Sequence, residues 1–190
     1  PASFYAYAAA VPTTVLFQEA IGFSAGRVDS VFGEIERRLA EAPQPAGISP
    51  HAPYTVHPRL LERLVELAAS RGAPVAMHLA ESREELELLA SGSGPFRELL
   101  EERSMWDAGE IAPGTRPLDY LRQLAMAPHS LVIHGNYLAA DEFEFIAQHR
   151  ERMSVVYCPR THAYFDHQPY PLEAMRAAGI RVAFGTDSRA

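Results

Sequence analysis

Short runs of apolar residues alternate with longer amphipathic segments along the chain. Several of the runs are continuous stretches of apolar and β-branched residues, which is typical of strands that are buried on both faces of a sheet. The predicted strands, in chain order, are residues 14–17, 47–49, 75–78, 131–134, 154–158 and 181–185.

The segments between these runs carry the periodicity of helices. Pro58–Arg71 places its leucine, valine and alanine side chains on one face, with Pro58 in the first turn and Gly72 as the stop. The alternation of strands with helices predicts an α/β chain whose parallel sheet is covered by helices. Further helices are predicted at residues 82–90, 95–103, 118–127, 141–150 and 171–178.

The composition is that of one globular unit. Of the 190 residues, 47% are hydrophobic and 22% are charged, so the chain has enough apolar material for a core. The formal charge of −7 offers no basic surface for nucleic acid, and no segment approaches the roughly 20 apolar residues of a membrane span. Cys158 is the single cysteine, which excludes an internal disulfide framework and predicts a reducing compartment, the cytoplasm.

The positive charge is carried by arginine alone. All 17 residues counted as lysine plus arginine are arginine. The sequence given therefore contains no Schiff-base lysine, no P-loop phosphate lysine and no carbamylated lysine that bridges two metals. The remaining candidates for chemistry are eight histidines and 24 carboxylates.

Residues suited to metal or acid–base chemistry follow the predicted strands. His78, His134 and Asp187 stand at or just after the end of a run, and His51 follows another. The carboxyl ends of parallel strands meet at one edge of a sheet, where binding and catalytic sites form. We therefore expect these four side chains to form a polar cluster at that edge, suited to metal or acid–base chemistry.

Each of these signals also has a purely structural explanation. His78 with Glu81 three residues later fits a metal ligand beside a proton-carrying acid, and also a strand-end histidine before the first turn of a helix. His134 also fits a core histidine with satisfied hydrogen bonds. Asp187 fits a helix N-cap as well as a ligand. His51 also fits a turn that is stiffened by two prolines.

A further group of polar residues follows the predicted strand at 154–158. Arg160 and His162 are candidates for ligand contact, with plain exposure to solvent as the alternative. Cys158 is predicted to be a small core residue rather than a nucleophile. The acidic run 81–87 is predicted to be a solvated helix face. No role is assigned to the remaining histidines, which are His57, His129, His149 and His167.

Together these segments resemble a known family, the amidohydrolase superfamily, and within it the cytosine deaminase-like and chlorohydrolase-like branch with one metal. The resemblance covers most of the chain, from about Val11 to Ser188. Many members of the branch have Cys-Pro followed by a Ser-Asn pair, whereas Thr161-His162 takes that place here, a variant similar to that of aminofutalosine deaminase-like proteins. The resemblance rests on the motifs His51-Ala-Pro-Tyr-Thr, His78-Leu-Ala-Glu81-Ser, Ile-His134-Gly, Tyr-Cys158-Pro and Gly-Thr-Asp187-Ser.

The resemblance implies a distorted (β/α)8 barrel of the TIM type, of which about strands 3 to 8 are visible in this sequence. It implies that His78 and Asp187 ligate one divalent ion, which is zinc, with iron as the alternative. Such a site lowers the pKa of bound water to about 7 and so supplies hydroxide at neutral pH.

The resemblance also implies roles for the other polar residues. Glu81 would protonate the substrate ring, and Asp187 would take a proton from the attacking water. His134 would orient that water or polarise the substrate. The expected substrate contacts come from five residues, which are His51, Glu81, His134, Arg160 and His162.

The implied activity is the hydrolytic deamination of an aminated purine- or pyrimidine-type ring, base-like or nucleoside-like, by a metal-bound hydroxide. A small heterocyclic substrate is the expected partner, and a homodimer is the expected assembly. Cyclic amide hydrolysis or dechlorination at the same site is the first alternative. A truncated barrel that acts as a binding or scaffold module without catalysis is the second.

One part of the family pattern is missing. A His-x-His motif, which the family has after its first strand, does not occur in the sequence. A closed barrel takes about 250 residues, more than the 190 given. We therefore expect residues 1–190 to be a partial hydrolase barrel domain of a longer polypeptide, whose N-terminal strands and C-terminal segment lie outside this chain. The 190 residues alone are expected neither to hold metal tightly nor to be active.

Overall fold

A single parallel sheet forms the centre of the structure. The structure is a computed structural model, and it describes residues 14–42 and 45–187. The sheet has six strands in the order β1-β2-β3-β4-β5-β6, so each strand pairs with the next along the chain. Each of the six predicted runs overlaps one strand. The strands are β1 Leu16–Ala20, β2 Ala46–Pro50, β3 Val75–Leu79, β4 Ser130–His134, β5 Met153–Tyr157 and β6 Val182–Phe184.

The sheet has the pairing of a barrel but is not closed. Consecutive parallel strands joined by helical crossovers are the arrangement of a (β/α) barrel. Within the described residues, β1 pairs only with β2 and β6 pairs only with β5. The structure therefore confirms the predicted α/β partial barrel. The further expectation, that other strands complete it outside this chain, stays a prediction.

Helices connect the strands and cover the sheet. Pro58–Arg71 has the predicted bounds, and Gly72 ends it with a φ of +64°. The hydrophobic pattern predicts neither the helix Val28–Glu41 nor the helix Pro159–Tyr164. No helix in the described ranges is long and apolar enough to cross a bilayer. The helices are α1 Val28–Glu41, α2 Pro58–Arg71, α3 Arg83–Ser91, α4 Pro95–Glu102, α5 Pro117–Leu124, α6 Ala140–Gln148, α7 Pro159–Tyr164 and α8 Leu172–Ala177, with a 3-10 helix at Ala25–Arg27.

The core lies between the sheet and the helices. Leu60, Leu61 and Leu64 of α2 are fully buried, and burial of each such side chain contributes roughly 1.5–3 kcal/mol. At Gly47 of β2, a Cβ atom would stand 2.6 Å from the Phe17 ring, so no side chain fits there. This close packing fixes the strands, and with them the positions of the residues that follow their carboxyl ends.

Candidate active site

The candidate polar residues lie at one edge of the sheet. His51 follows β2 directly, His78 lies in β3, His134 is the last residue of β4 and Asp187 lies three residues beyond β6. Because all six strands are parallel, their carboxyl ends share that edge.

His78, His134 and Asp187 form a compact group of potential ligands. One ring nitrogen of each histidine and one carboxylate oxygen of Asp187 lie within 4.8 Å of one another. The ring centroids of His78 and His134 are 5.3 Å apart, and those of His51 and His78 are 4.9 Å apart. The fold therefore brings together four side chains that are far apart in the sequence. Imidazole and carboxylate are ligands of catalytic zinc sites.

Hydrogen bonds show which ring nitrogen carries the proton in His78 and in His51. His78 Nδ1 lies 2.9 Å from the main-chain oxygen of His51, which can only accept, so Nδ1 carries the proton. The Thr55 hydroxyl donates to the Ala52 carbonyl and lies 2.7 Å from His51 Nδ1, so this nitrogen donates as well. In both rings Nε2 is left with a lone pair. For His78, this is the form that ligates a metal.

His134 is buried and its ring is only partly satisfied. Its φ of +69° lies in the left-handed region, which is uncommon for a residue other than glycine. Tyr170 holds this backbone by donating from its hydroxyl to the His134 carbonyl at 2.8 Å. Within the described residues, His134 Nε2 has no hydrogen-bond partner. It lies 3.4 Å from Glu81 Oε1 and 3.8 Å from Asp187 Oδ2. Backbone strain beside an unpaired buried nitrogen is a pattern of functional sites.

Burial shifts the pKa values of the groups in this cluster. It lowers the pKa of His134 to about 4, and His78 acts in the same direction. The His134 ring is therefore neutral at pH 7, and its contacts with the two carboxylates are not ion pairs. Burial raises the pKa of Glu81, an effect that His78 opposes and Asp187 reinforces. A carboxyl group with a raised pKa retains its proton closer to neutral pH, which suits a proton donor.

Asp187 is oriented by a helix that the sequence pattern does not predict. The Thr161 hydroxyl, in α7, donates to Asp187 Oδ2 at 2.8 Å. The φ of Asp187 is +57°, so a second member of the cluster has a left-handed backbone. Position 161 belongs to the Thr-His pair that departs from the family pattern.

A cavity of about 600 Å³ lies next to this group of side chains. Glu81, which is 3.4 Å from His134 Nε2, lines the cavity. Its volume lies within the range of small-molecule sites. Tyr54 and Phe96 contact each other in its wall, and the Arg83 guanidinium lies 5.1 Å from the centroid of the Tyr137 ring. The lining residues are Tyr54, Glu81, Ser82, Arg83, Glu84, Phe96, Tyr137, Phe165, Asp166 and His167.

Comparison with protein families identifies the chain. The family described as the amidohydrolase family matches residues 5–190. The chain belongs to the amidohydrolase family. The resemblance drawn from the sequence motifs is thereby confirmed.

Curated relatives of this chain include deaminases. The chain is 32% identical over 195 residues to the aminodeoxyfutalosine deaminase of Deinococcus radiodurans, an alignment that covers 91% of this chain and 44% of the relative. It is 30% identical over 172 residues to the 5-methylthioadenosine/S-adenosylhomocysteine deaminase of Shouchella clausii, covering 90% of this chain and 32% of the relative. The chain therefore spans less than half the length of these relatives.

Solved structures share the fold of this chain. The aminofutalosine deaminase of Helicobacter pylori, in complex with methylthio-coformycin, superposes with a TM-score of 0.76 at 21% identity, covering 95% of this chain and 45% of that chain. An adenosine deaminase of Xanthomonas campestris with bound zinc gives a TM-score of 0.62 at 24% identity, covering 90% and 36%.

One acidic residue contradicts the sequence interpretation. The run 81–87 is predicted to be a solvated helix face, which is wrong for Glu85, because this side chain is fully buried. Its oxygens accept from the main-chain N–H groups of Ala80 and Glu81 at 2.8 and 2.9 Å. Burial raises the pKa of Glu85 to about 8, while the two N–H groups act in the opposite direction. The charge pattern alone does not separate Glu85 from its exposed neighbour Glu84.

The other residues predicted to contact substrate occupy different environments. Arg160 is exposed in the first turn of α7 and does not line the cavity, so its role stays a prediction. His162 is buried, and its ring lies edge-on to those of Tyr157 and Tyr170.

His167, to which the sequence assigns no role, lines the cavity. Its Nδ1 lies 2.9 Å from the Tyr137 hydroxyl, and its ring centroid is 5.5 Å from that of His162. No motif or periodicity in the sequence marks His167, because the fold alone brings it to the wall.

A second group of potential ligands, His57, Asp107 and Glu110, lies outside this cluster. His57 is the N-cap of α2, and its Nδ1 accepts from the N–H of Arg59 at 3.1 Å. The proton of a neutral His57 must then be on Nε2, which lies 3.0 Å from Glu110 Oε2 but is poorly aligned for a hydrogen bond. Since a protonated nitrogen cannot ligate a metal, the helix cap argues against a metal site here.

Proposed function

We propose that the complete protein is a metal-dependent hydrolase that releases ammonia from a 6-aminopurine ring carried by a nucleoside. The observation that carries the proposal is the meeting of His78, His134 and Asp187 beside Glu81 at the edge of a cavity. The relatives support it, because their names describe deaminases, one of them of compounds that contain adenosine.

The residues of the cluster fit a divalent metal. His78 has a free Nε2 lone pair, and Asp187 has a carboxylate oxygen within 4.8 Å of it, so we propose these two as the ligands. The unpaired Nε2 of His134 fits a place beside the metal and the reacting groups. When bound, zinc, or iron as the alternative, supplies a Lewis acid that makes water a nucleophile near neutral pH. A zinc-containing structural neighbour agrees with this choice of metal.

Glu81 and Asp187 divide the proton transfers between them. Protonated Glu81 donates its proton to the ring nitrogen next to the amino-bearing carbon, which makes that carbon electrophilic. The Asp187 carboxylate takes one proton from the attacking water, whose oxygen bonds to the carbon. Asp187 then gives that proton to the leaving amino group, which departs as ammonia. The hydroxyl group added to the carbon then passes its proton to Glu81 as the new carbonyl forms. Glu81 is thereby protonated again and Asp187 is again a carboxylate, as at the start.

The remaining side chains bind and orient the substrate. His51 has an acceptor Nε2 and is half-buried in the same cluster, where it suits a contact to the ring edge. Tyr54 and Phe96 offer aromatic surface in the cavity wall. We propose Arg160 and His162 as further substrate contacts, although neither lines the cavity in this chain.

The test is ammonia release by the complete gene product after loading with zinc. The panel of test compounds consists of adenosine, 5′-methylthioadenosine, S-adenosylhomocysteine, adenine, guanine, cytosine and a pterin. We expect at least one 6-aminopurine nucleoside to yield ammonia and the 6-oxo product in equal amounts. A chelator should abolish the activity, and added zinc should restore it.

One result of this assay would contradict the proposal, and two others would favour a different reaction. A zinc-loaded protein that releases no ammonia from the whole panel would contradict it. Release of chloride from a chlorinated ring, or of a ring-opened acid from a cyclic amide, would favour the other hydrolytic reactions.

The cytoplasmic location, the homodimer and the division of the barrel between this chain and further sequence stay predictions.

A further inference from the structure

Glu85 has a buried carboxyl group whose two oxygens both accept hydrogen bonds from the main chain. It lies in the first turn of α3 and is fully buried. One oxygen accepts from the N–H of Ala80 at 2.8 Å and the other from the N–H of Glu81 at 2.9 Å. A buried carboxylate is costly unless its oxygens are hydrogen-bonded, and here both are.

These bonds differ from an ordinary helix cap. Ser82 is the N-cap of α3, and its hydroxyl accepts from the N–H of Glu85 at 3.2 Å. In a capping box, the acid at this position bonds back to the N–H of the cap residue itself. Glu85 instead bonds to the N–H groups of Glu81 and Ala80, which lie one and two residues before the cap residue, in the loop between β3 and α3. Its carboxylate therefore holds the loop in addition to the start of the helix.

The loop that Glu85 holds carries Glu81. Ala80 has a φ of +53°, which is unfavourable for a residue with a Cβ and requires support from its surroundings. Support on the other side comes from the loop after β4. The Tyr137 N–H donates to the Ala80 carbonyl at 3.1 Å, and the Asn136 side chain donates to the Glu81 carbonyl at 2.9 Å. The peptide group between Ala80 and Glu81 is thus held on two sides, and the carbonyl of the next peptide group is held by Asn136.

We propose that Glu85 is a positioning residue for the deamination proposed above: it fixes the main chain at Ala80 and Glu81 and so aims the Glu81 carboxyl group. The present position of that group, 3.4 Å from His134 Nε2 and at the cavity wall, depends on this support. Glu85 itself does not line the cavity. Its effect on turnover therefore passes through Glu81.

A double-mutant cycle tests this in the complete, zinc-loaded protein. Glu85→Gln retains the shape but presents an NH₂ group to one of the two N–H donors, so one bond is lost. We expect kcat to fall by about 10- to 100-fold, since a displacement of about 1 Å has effects of this size, with KM changed by less than about threefold. In a Glu81→Gln background, the same change should lower kcat by less than about twofold, because the group that Glu85 aims is already inactive.

A purely structural role predicts a different result. Glu85→Gln would then lower kcat by the same factor in both backgrounds, and this would overturn the proposal, as would an unchanged kcat in the single variant. Where Glu85→Gln does not fold, Glu85→Asp replaces it in the cycle. Glu85→Asp retains the carboxyl group but withdraws it by one methylene, and the same loss of effect in the Glu81→Gln background is expected.

Glu142 provides a matched control. It is also a buried carboxylate whose oxygens accept from two main-chain N–H groups, those of Leu118 and Ala139, at 3.2 and 2.7 Å. It does not line the cavity. Glu142→Gln should lower the melting temperature but change kcat by less than about twofold.

Amide hydrogen exchange separates this proposal from the proposed function. The amides of Ala80 and Glu81 should exchange faster in Glu85→Gln than in the unaltered protein, and should be unchanged in Glu142→Gln. Unaltered exchange in Glu85→Gln would overturn the role of Glu85 even in an active deaminase. An unaltered protein that releases no ammonia would instead count against the proposed function.

Discussion

Glu81→Gln is expected to lower kcat by about 10²- to 10⁴-fold while the zinc content of the complete protein stays the same. Glutamine has nearly the same shape and still forms hydrogen bonds, but it has no proton to give to the substrate ring. Glu81 is also not one of the proposed ligands, so the metal should remain. Steady-state kinetics and elemental analysis of the same preparation measure both quantities.

The matched control for this prediction is Glu87→Gln. Glu87 lies on α3 with the same charge, is exposed and does not line the cavity, so its variant should retain the kcat of the unaltered protein. A Glu81→Gln protein that turns over at the original rate would show that the proton donor is another group. Loss of zinc in that variant would place Glu81 among the ligands instead.

Asp187→Ala is expected to remove both the metal and the activity. Its carboxylate is one of the proposed ligands and also the proposed acceptor of the proton from water. We expect kcat/KM to fall by at least about 10³-fold, because the nucleophile and its base are lost together. The zinc content measured after dialysis should fall well below that of the unaltered protein. The opposite outcomes for zinc distinguish the roles of Asp187 and Glu81.

Asp29→Ala is the control for the loss of an aspartate. Asp29 is exposed and forms an ion pair with Arg63 at 2.6 Å, and it neither belongs to the candidate ligands nor lines the cavity, so both zinc and turnover should be retained. Full zinc content in Asp187→Ala would contradict the assignment of Asp187 as a ligand. If excess zinc restores the metal content of that variant but not its turnover, Asp187 acts both as a ligand and as the base.

Much of the fold could be predicted from the sequence because each strand coincides with part of a short apolar run. The strand β5 is a short apolar run, Met-Ser-Val-Val-Tyr, bounded by polar segments. Helix α2 has proline at its start, glycine at its end and a continuous buried face. Residues such as His78 and His134 are conspicuous because a polar side chain ends an apolar run. Strand order then brings them to one edge.

The supporting parts of the site were not predictable in this way. Helix α7 is short, and Thr161 within it orients Asp187 through a contact across 26 positions of sequence. Glu85 and Glu84 are identical in residue type, and only the turn of α3 buries one and exposes the other. His167 reaches the cavity through the path of the chain after α7. Such contacts depend on tertiary structure, which hydrophobic periodicity does not encode.

The central claim is that the side chains at the carboxyl edge of the sheet share one divalent ion. Anomalous diffraction at the zinc edge, from crystals of the complete zinc-loaded protein, tests this directly. We predict one peak within about 2.0–2.2 Å of His78 Nε2 and an Asp187 carboxylate oxygen. A fully occupied zinc elsewhere, for example between His57 and Glu110, with no peak at His78 and Asp187, would contradict the account.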